Sequence, residues 1–480
     1  MDSICSIDKS CAAQISSLLQ PPPPLQVQEY FEKLIPTREC HGITIKQNGD
    51  FGKGVFAKSE FKEGELILKD QMLVGIQHAS NRMECFVCSY CFKFIGSIEL
   101  QMGRRLYFQN IIGPASSNNG CGASTSSRGH CSDTDSSEEE DFNFPEKETI
   151  PLPDGVVESL MDGGLVLPYS DKFPLPTVIS CPGGCDEAHY CSKSCADADW
   201  EFFHSLLCTG EKSESLSREA LSNFIQHAVE TNDIFLLAAK AISSTVLRYR
   251  KLKTTYFEKL EKHKSSDVLD RSNLLLEAWK PISIGYKKRW WDCVTVPDDV
   301  DDEMKFRMQI KELAFTSLQL LKAAIFDKDC EALFSLEIYG HIIGMFELNN
   351  LDLVVASPVQ DYFSYIDDLP PPQKEKVEKI TRPLLDALGD DYSVCCEGSA
   401  FYTLQSCMNH SCCPNAEAFK REEDRDGRAT ILCLRPICKG EEITISYIDE
   451  DLPFDERQAL LADYGFKCKC PKCVQEEDPQ

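Results

Sequence analysis

Seven consecutive residues, Asn409-His410-Ser411-Cys412-Cys413-Pro414-Asn415, set an amide, an imidazole, a hydroxyl, two thiols and a turn-forming Pro-Asn pair side by side. An ordinary polar turn has little use for that mixture. Groups of these types can hydrogen-bond a polar small molecule and ligate a metal. More metal chemistry lies elsewhere. Cys85-x2-Cys88-x2-Cys91 offers two overlapping ligand pairs, and Cys181-x3-Cys185, Cys191-x3-Cys195 and His204-x3-Cys208 follow. Four pairs of thiolate and imidazole donors at such spacings close two tetrahedral zinc sites. Near the end, Cys468-x-Cys470-x2-Cys473 leaves a further tetrahedral site one ligand short.

The elements that must position these groups are legible in outline. Gly42 to Lys46 and Glu65 to Leu68 alternate as short strands around an Asn48-Gly49 turn and Phe51-Gly52-Lys53-Gly54. Glycines there let a backbone approach a ligand closely. Ser213 to about Asp390 reads as mostly helical, with Leu221, Phe224, Ile225, Ala228 and Val229 at helical spacing. Trp290-Trp291 reads as core in preference to a cation or adenine clamp. A helix near Val377 to Leu388 precedes the strands Ile431 to Leu434 and Glu441 to Tyr447. Residues 1–36 read as a largely flexible leader interrupted by Pro21-Pro22-Pro23-Pro24. Gly96 to Thr177 is an insertion rich in Ser, Asn, Gly and acids, including Ser132, Ser136 and Ser137, and its composition predicts disorder.

The net charge of −27 argues against the phosphate-neutralising surface that non-specific DNA binding needs, and it suits basic partners by long-range steering. No basic start followed by an apolar block reads as a secretory signal, and no run approaches the ~20 apolar residues of a membrane helix. The expected setting is intracellular, where 25 cysteines point to zinc before disulfides.

The Asn-His-Ser-Cys-x-Pro-Asn run resembles the signature of SET-domain lysine methyltransferases. Strand pair with Gly-x-Gly, cysteine-rich finger, helical insert, second strand block and cysteine-rich tail follow the order of the SET-and-MYND type, and within it the plant trithorax-related group. The fold this implies is mixed α+β. It has a β-rich SET core with a pseudoknot, split by a MYND zinc finger and a helical insert and followed by a zinc-binding post-SET tail. The implied divisions are 37–84 for the N-terminal SET part, 85–210 for the finger with its insertion at about 96–177, and 211–392 for the helical insert. The C-terminal SET core then takes 393–448 and the tail 449–480.

The resemblance also implies ligand sets and roles. One finger zinc would take Cys88, Cys91, Cys191 and Cys195, with Cys85 spare, and the other Cys181, Cys185, His204 and Cys208. A third would take Cys412, Cys468, Cys470 and Cys473. S-adenosyl-L-methionine would lie against Gly52, Lys53, Gly54, Ser406, Asn409, His410 and Phe466, and Tyr447 would align the amine with the transferred methyl. Gly344 stands where relatives carry a cofactor-contacting asparagine, which removes one hydrogen bond. The implied activity is protein-lysine N-methylation, on a histone H3 tail (positions 4 and 36 are the group's usual targets) or on another lysine-bearing protein. The implied compartment is the nucleus, with the cytoplasm as the other. Pro-rich peptides and transcription factors are partners that such a finger implies. A reading from a different class is a finger-based transcriptional scaffold with weak activity; cofactor affinity distinguishes the two.

Overall fold

The computed structural model describes residues 5–38, 40, 42–48, 52–112, 152–263, 271–285, 288–297, 299–421 and 423–477. Gly49, Phe51 and the Ser- and acid-rich stretch holding Ser132, Ser136 and Ser137 lie outside them. Twelve short strands occur in the described chain. They are β1 Ile43–Asn48, β2 Gly52–Ala57, β3 Leu66–Asp70, β4 Met72–Gln77, β5 Ile179–Ser180, β6 His189–Tyr190, β7 Leu351–Val355, β8 Cys396–Tyr402, β9 Asn409–His410, β10 Ala416–Ala418, β11 Ala429–Cys433 and β12 Glu442–Ile445. Helices supply most of the remainder, so the class is mixed α+β.

Three small sheets join parts of the chain far apart in sequence. The first runs β1-β2-β12-β9, the second β10-β11-β3 and the third β4-β8-β7. In the first sheet β1 and β2 form an antiparallel pair, and β12 lies antiparallel to β2 through Glu442–Phe56 and Ile443–Val55. The other edge of β12 pairs in parallel with β9, Thr444 opposite Asn409 and Ile445 opposite His410. A parallel pair of adjacent segments cannot be closed by a hairpin, so the chain from 411 to 441 must travel out and back. On that excursion it builds β10 and β11. The alternating apolar residues Ile43, Ile45, Val55, Ile431, Ile443 and Ile445 are buried in one core beneath these sheets.

The long helices Ile234–His263, Glu303–Ile325 and Leu336–Asn349 enclose a separate core. Trp290 and Trp291 are buried in it, at 2% and 7% exposure, as their reading as core requires. The Trp290 ring meets Phe235 edge-on at 5.7 Å, and its Nε1 donates to Glu347 at 3.1 Å. Among the described residues no helix is long and apolar enough to cross a membrane.

Two sequence expectations are corrected here. The leader is structured: helices Ser6–Ser10, Ala12–Leu19 and Pro24–Leu34 precede β1. Ile7, Ile15 and Leu18 are buried against the helical core, and Trp279 Nε1 donates to the Leu18 carbonyl at 2.8 Å. Pro24 occupies the first helical turn, where a missing N–H costs nothing, so the proline run starts a helix as well as ending one. Phe31 of that helix is buried beneath β1 and β2. The insertion expected to be disordered over about 96–177 also contributes ordered segments at both ends. Helix Ile98–Ile112 packs against Val156–Asp162, burying Ile98, Met102, Leu106 and Leu160 with helices Pro358–Asp367 and Pro371–Leu388. Composition averaged over the insertion hid these apolar ends behind its polar middle.

Candidate active site

The parallel pairing of β9 and β12 sets Asn409 and His410 beside the glycine strand β2. Asn409 Nδ2 donates to the Lys53 carbonyl at 3.1 Å and to Glu442 Oε1 at 2.7 Å. Both amide protons are thereby used inside the protein, which fixes the amide's orientation and leaves Oδ1 as its acceptor end. Gly54 makes the approach possible. A Cβ there would sit 2.5 Å from Glu442 Oε1 and 3.3 Å from Asn409 Nδ2. Gly52 adopts φ +77°, a left-handed conformation that favours glycine. The Lys53 ammonium donates to the Ile284 carbonyl and lies 5.9 Å from the Phe31 ring centre. The glycine strand is therefore tied to both the helical insert and the leader.

His410 links two functions. The Tyr447 backbone N–H donates to its Nδ1 at 3.0 Å, so the ring proton sits on Nε2, which faces Cys412 Sγ at 3.2 Å. Burial, with the Arg457 charge adding to it, pushes the imidazole down to about 4, and the ring is neutral at pH 7. Tyr447 Oη donates to the Met408 carbonyl at 2.5 Å, and burial raises its hydroxyl well above the usual phenol range. Around it stand His410 at 5.4 Å, Tyr464 at 5.2 Å and Phe466 at 6.5 Å between ring centres, with Phe466 5.9 Å from His410. Four rings thus wall one spot, and such walls exclude water and favour the neutral form of an amine.

The turn that feeds this loop is pinned by Asp70, which is fully buried and accepts from the Leu404 and Gln405 backbone N–H groups at 2.8 and 3.2 Å. Burial outweighs these bonds and the Arg38 charge, so its carboxyl is pushed up to about 6. Ser406 Oγ donates back to the Thr403 carbonyl at 3.4 Å, within the same turn. Gly344 faces the Lys288 carbonyl so closely that a Cβ would lie 2.1 Å from it, leaving no room for a side chain at that position.

Three clusters bring metal-ligating atoms together, each set within 4.8 Å: Cys88, Cys91, Cys191 and Cys195; Cys181, Cys185, His204 and Cys208; and Cys412, Cys468, Cys470 and Cys473. The Cys91–Cys191 and Cys191–Cys195 sulfurs are 3.5 Å apart, Cys181–Cys208 3.8 Å and Cys412–Cys468 3.8 Å. A tetrahedron with Zn–S bonds of ~2.3 Å puts its corners about 3.8 Å apart, so the donor sets fit zinc with every ligand position filled. Cys85 stands outside them, its thiol facing the Cys395 carbonyl at 3.3 Å. His204 reaches its cluster from a π-helical turn, Trp200–His204, a local widening often found at functional positions.

Sequence reasoning passed over several residues that hold this geometry. Glu442 orients Asn409, and Tyr464 supplies a wall. Gln458 Nε2 donates to Cys473 Sγ at 3.3 Å, and the buried Arg457 guanidinium faces the same sulfur at 3.8 Å. Such donors around thiolates tune and orient a zinc site. Their signal was position: Arg457 and Gln458 are neighbours on helix Phe454–Asp463, which joins Tyr447 to the last three cysteines.

The sequence matches the SET domain family over residues 52–448. It is 65% identical over 99% of both chains to Histone-lysine N-methyltransferase ATXR2 of Arabidopsis thaliana. It is 26% identical to Protein-lysine N-trimethyltransferase SMYD5 of Gallus gallus, over 66% of this chain and 70% of that protein. A SET and MYND domain-containing protein of Dictyostelium discoideum is 46% identical over 79 residues, 16% of this chain and 22% of that one.

Proposed function

The chain belongs to the SET-domain protein-lysine methyltransferases of the SET-and-MYND type, and from that premise we propose that it methylates lysine on a histone H3 tail, using S-adenosyl-L-methionine. The observation that carries this reading is the fixed Asn409 amide beside the four-ring wall around Tyr447. The sulfonium cofactor supplies an activated methyl group when bound. The chain's own residues supply position and dryness. Asn409 Oδ1 would accept from the cofactor's α-ammonium, and the glycines at 52 and 54, which carry no side chain, would let its amino-acid end approach the half-buried backbone between them. Phe466 and His410 would cover the cofactor, while Tyr447 and Tyr464 would guide the incoming amine. The rings lower the lysine's affinity for its proton, because burial disfavours the charged form.

A histone substrate is supported by the identity to the Arabidopsis protein and by the acidic charge balance, which suits a basic tail. That substrate would set the protein to work in the nucleus. The three clusters serve as structural zinc sites, two in a MYND finger inserted after the first strands and one in a post-SET tail. The 411–441 excursion between the parallel strands β9 and β12 is the SET pseudoknot in this reading. Pro-rich peptides and transcription factors are the finger's expected partners.

The test is incubation of wild-type protein and Tyr447→Phe with labelled S-adenosyl-L-methionine, free histones and nucleosomes. Label on H3 from the wild type, lost or altered in degree in the variant, is expected. Cofactor binding without label on any histone would move the substrate to another protein. Absence of both would overturn the enzymatic reading.

A further inference from the structure

On the lobe formed by helices Pro358–Asp367 and Pro371–Leu388, whose apolar core is separate from the one beneath the β2–β12–β9 sheet, a second group of rings stands beside a cation. Tyr169 and Tyr365 meet at 5.7 Å with an interplanar angle of 67°, and Phe173 backs Tyr365 at 5.8 Å, also at 67°. The two tyrosines are therefore adjoining walls of a corner. The exposed Lys172 ammonium caps its mouth at the hydroxyl end of Tyr365, donating to Oη at 2.5 Å and lying 4.5 Å from the Tyr365 ring centre and 5.5 Å from that of Tyr169.

The backbone singles out one wall. Tyr169 has φ +64°, in the left-handed region, one of two non-glycine residues with positive φ among those described. A bulky side chain is disfavoured there, and strain of this kind collects at ligand clamps. The walls themselves are firmly held. Tyr365 projects from a helix whose neighbouring Tyr362 is buried and donates to the Pro168 carbonyl at 3.0 Å, and Ser170 Oγ ties back to the Leu167 carbonyl at 3.0 Å. Carbonyl and hydroxyl bonds thus clamp the loop on both sides of the strained tyrosine.

We propose that the Tyr169–Tyr365 corner is a second ligand site, which binds the trimethylammonium head of a methylated lysine and is held closed in the free protein by Lys172. Ring faces attract any cation. A trimethylated head has no N–H to keep hydrated, so it gives up less solvation on entering than a primary ammonium does. The primary ammonium of Lys172 has the compensating hydrogen bond to Tyr365 Oη, which a trimethylated one cannot make. Lys172 is therefore a tethered competitor, and removing it raises the fraction of open corners and the apparent affinity together.

The experiment is calorimetric titration of the full-length, zinc-loaded protein with N-acetyl-trimethyl-lysine amide, and with N-acetyl-lysine amide as control. Lys172→Ala is expected to bind the trimethylated probe at least fivefold more tightly than wild type does, with the unmethylated control far weaker. Tyr169→Gly removes a wall and suits the left-handed backbone, so it should fold and lose the binding. Methyl transfer should be unchanged in both variants, because neither residue touches the catalytic sheet. Equal binding by all three proteins would place the probe in the catalytic ring cluster and overturn the proposal. Failure of Lys172→Ala to bind at millimolar probe would overturn it as well.

Discussion

Replacing Gly54 by alanine tests whether Glu442 sets the orientation of Asn409. The new Cβ would lie 2.5 Å from Glu442 Oε1, closer than real contacts come, and 3.0 Å from Phe56 Cε2, which is merely tight. The carboxylate is the end of a flexible side chain, so it is the group that yields, and it yields away from Asn409 Nδ2. What is lost is one charge-assisted hydrogen bond, now 2.7 Å long and worth about 1.5–3 kcal/mol. With the amide free to rotate, Oδ1 no longer faces the cofactor for all of the time. Binding of S-adenosyl-L-methionine should then weaken roughly 10- to 100-fold. Calorimetry on Gly54→Ala, Glu442→Ala and the double variant measures this directly. Each single variant should show the loss, and the double variant should lose little more than either, because both act on the same bond. Losses that multiply in the double variant, or a Gly54→Ala protein with wild-type affinity and unaltered circular dichroism, would refute the reasoning.

Asp70→Asn should alter the pH dependence of stability in a fixed direction. The folded protein holds the Asp70 proton up to about pH 6, against 3.8 for an ordinary aspartate in the unfolded chain, so this group's contribution to stability is full below pH 4 and is lost as pH rises through 6. Denaturant unfolding should show the variant gaining on wild type by roughly 1–1.5 kcal/mol between pH 5 and 7.5; a constant difference would count against a buried carboxyl. Leu18→Ala, which empties a side-chain site buried to 1% exposure, should cost about 2.5–5 kcal/mol in the same assay, whereas a loose leader would tolerate it without change. Cys470→Ser and Cys191→Ser should separate two roles of zinc. The first should cut methyl transfer at least tenfold by loosening Tyr464 and Phe466, and the second should lower the melting temperature while sparing turnover in the surviving folded protein.

The metal-ligand pairs of the finger were legible because their members lie only a few residues apart, whereas the sharing of pairs between ions, and Cys412 as fourth ligand of the third cluster, came from the family resemblance. The overlapping Cys85, Cys88 and Cys91 were the exception. Which two of them point inward depends on the backbone between them, and the structure turns Cys85 toward Cys395 instead. The strands around the site were legible from alternation: Ile431 to Leu434 reappears as β11 and Glu441 to Tyr447 contains β12. The leader was obscured by a general rule. Four prolines do favour extended chain, but the last of them satisfies the helix-start requirement, and Ile15 and Leu18 already lay one turn apart. Their burial depends on Trp279 and the helical core, more than 250 residues away, which no local window contains.

Glu442 was hidden for a deeper reason. In sequence it is one acid of a pair preceding an alternating strand, and alternation alone says which face it occupies without saying what lies there. Its role arises only when β12 enters between β2 and β9, which brings residues 54, 409 and 442 within a few ångströms. The same insertion lets the Tyr447 N–H reach His410, whose other nitrogen faces Cys412 in the third metal cluster. The Asn409 loop, Tyr447 and the zinc-fit tail are therefore held by one strand's two edges and one imidazole. A site built in this way cannot form from any of its segments alone. Each supplies groups whose hydrogen bonds are completed only by the others, so the site should assemble cooperatively with the core beneath it.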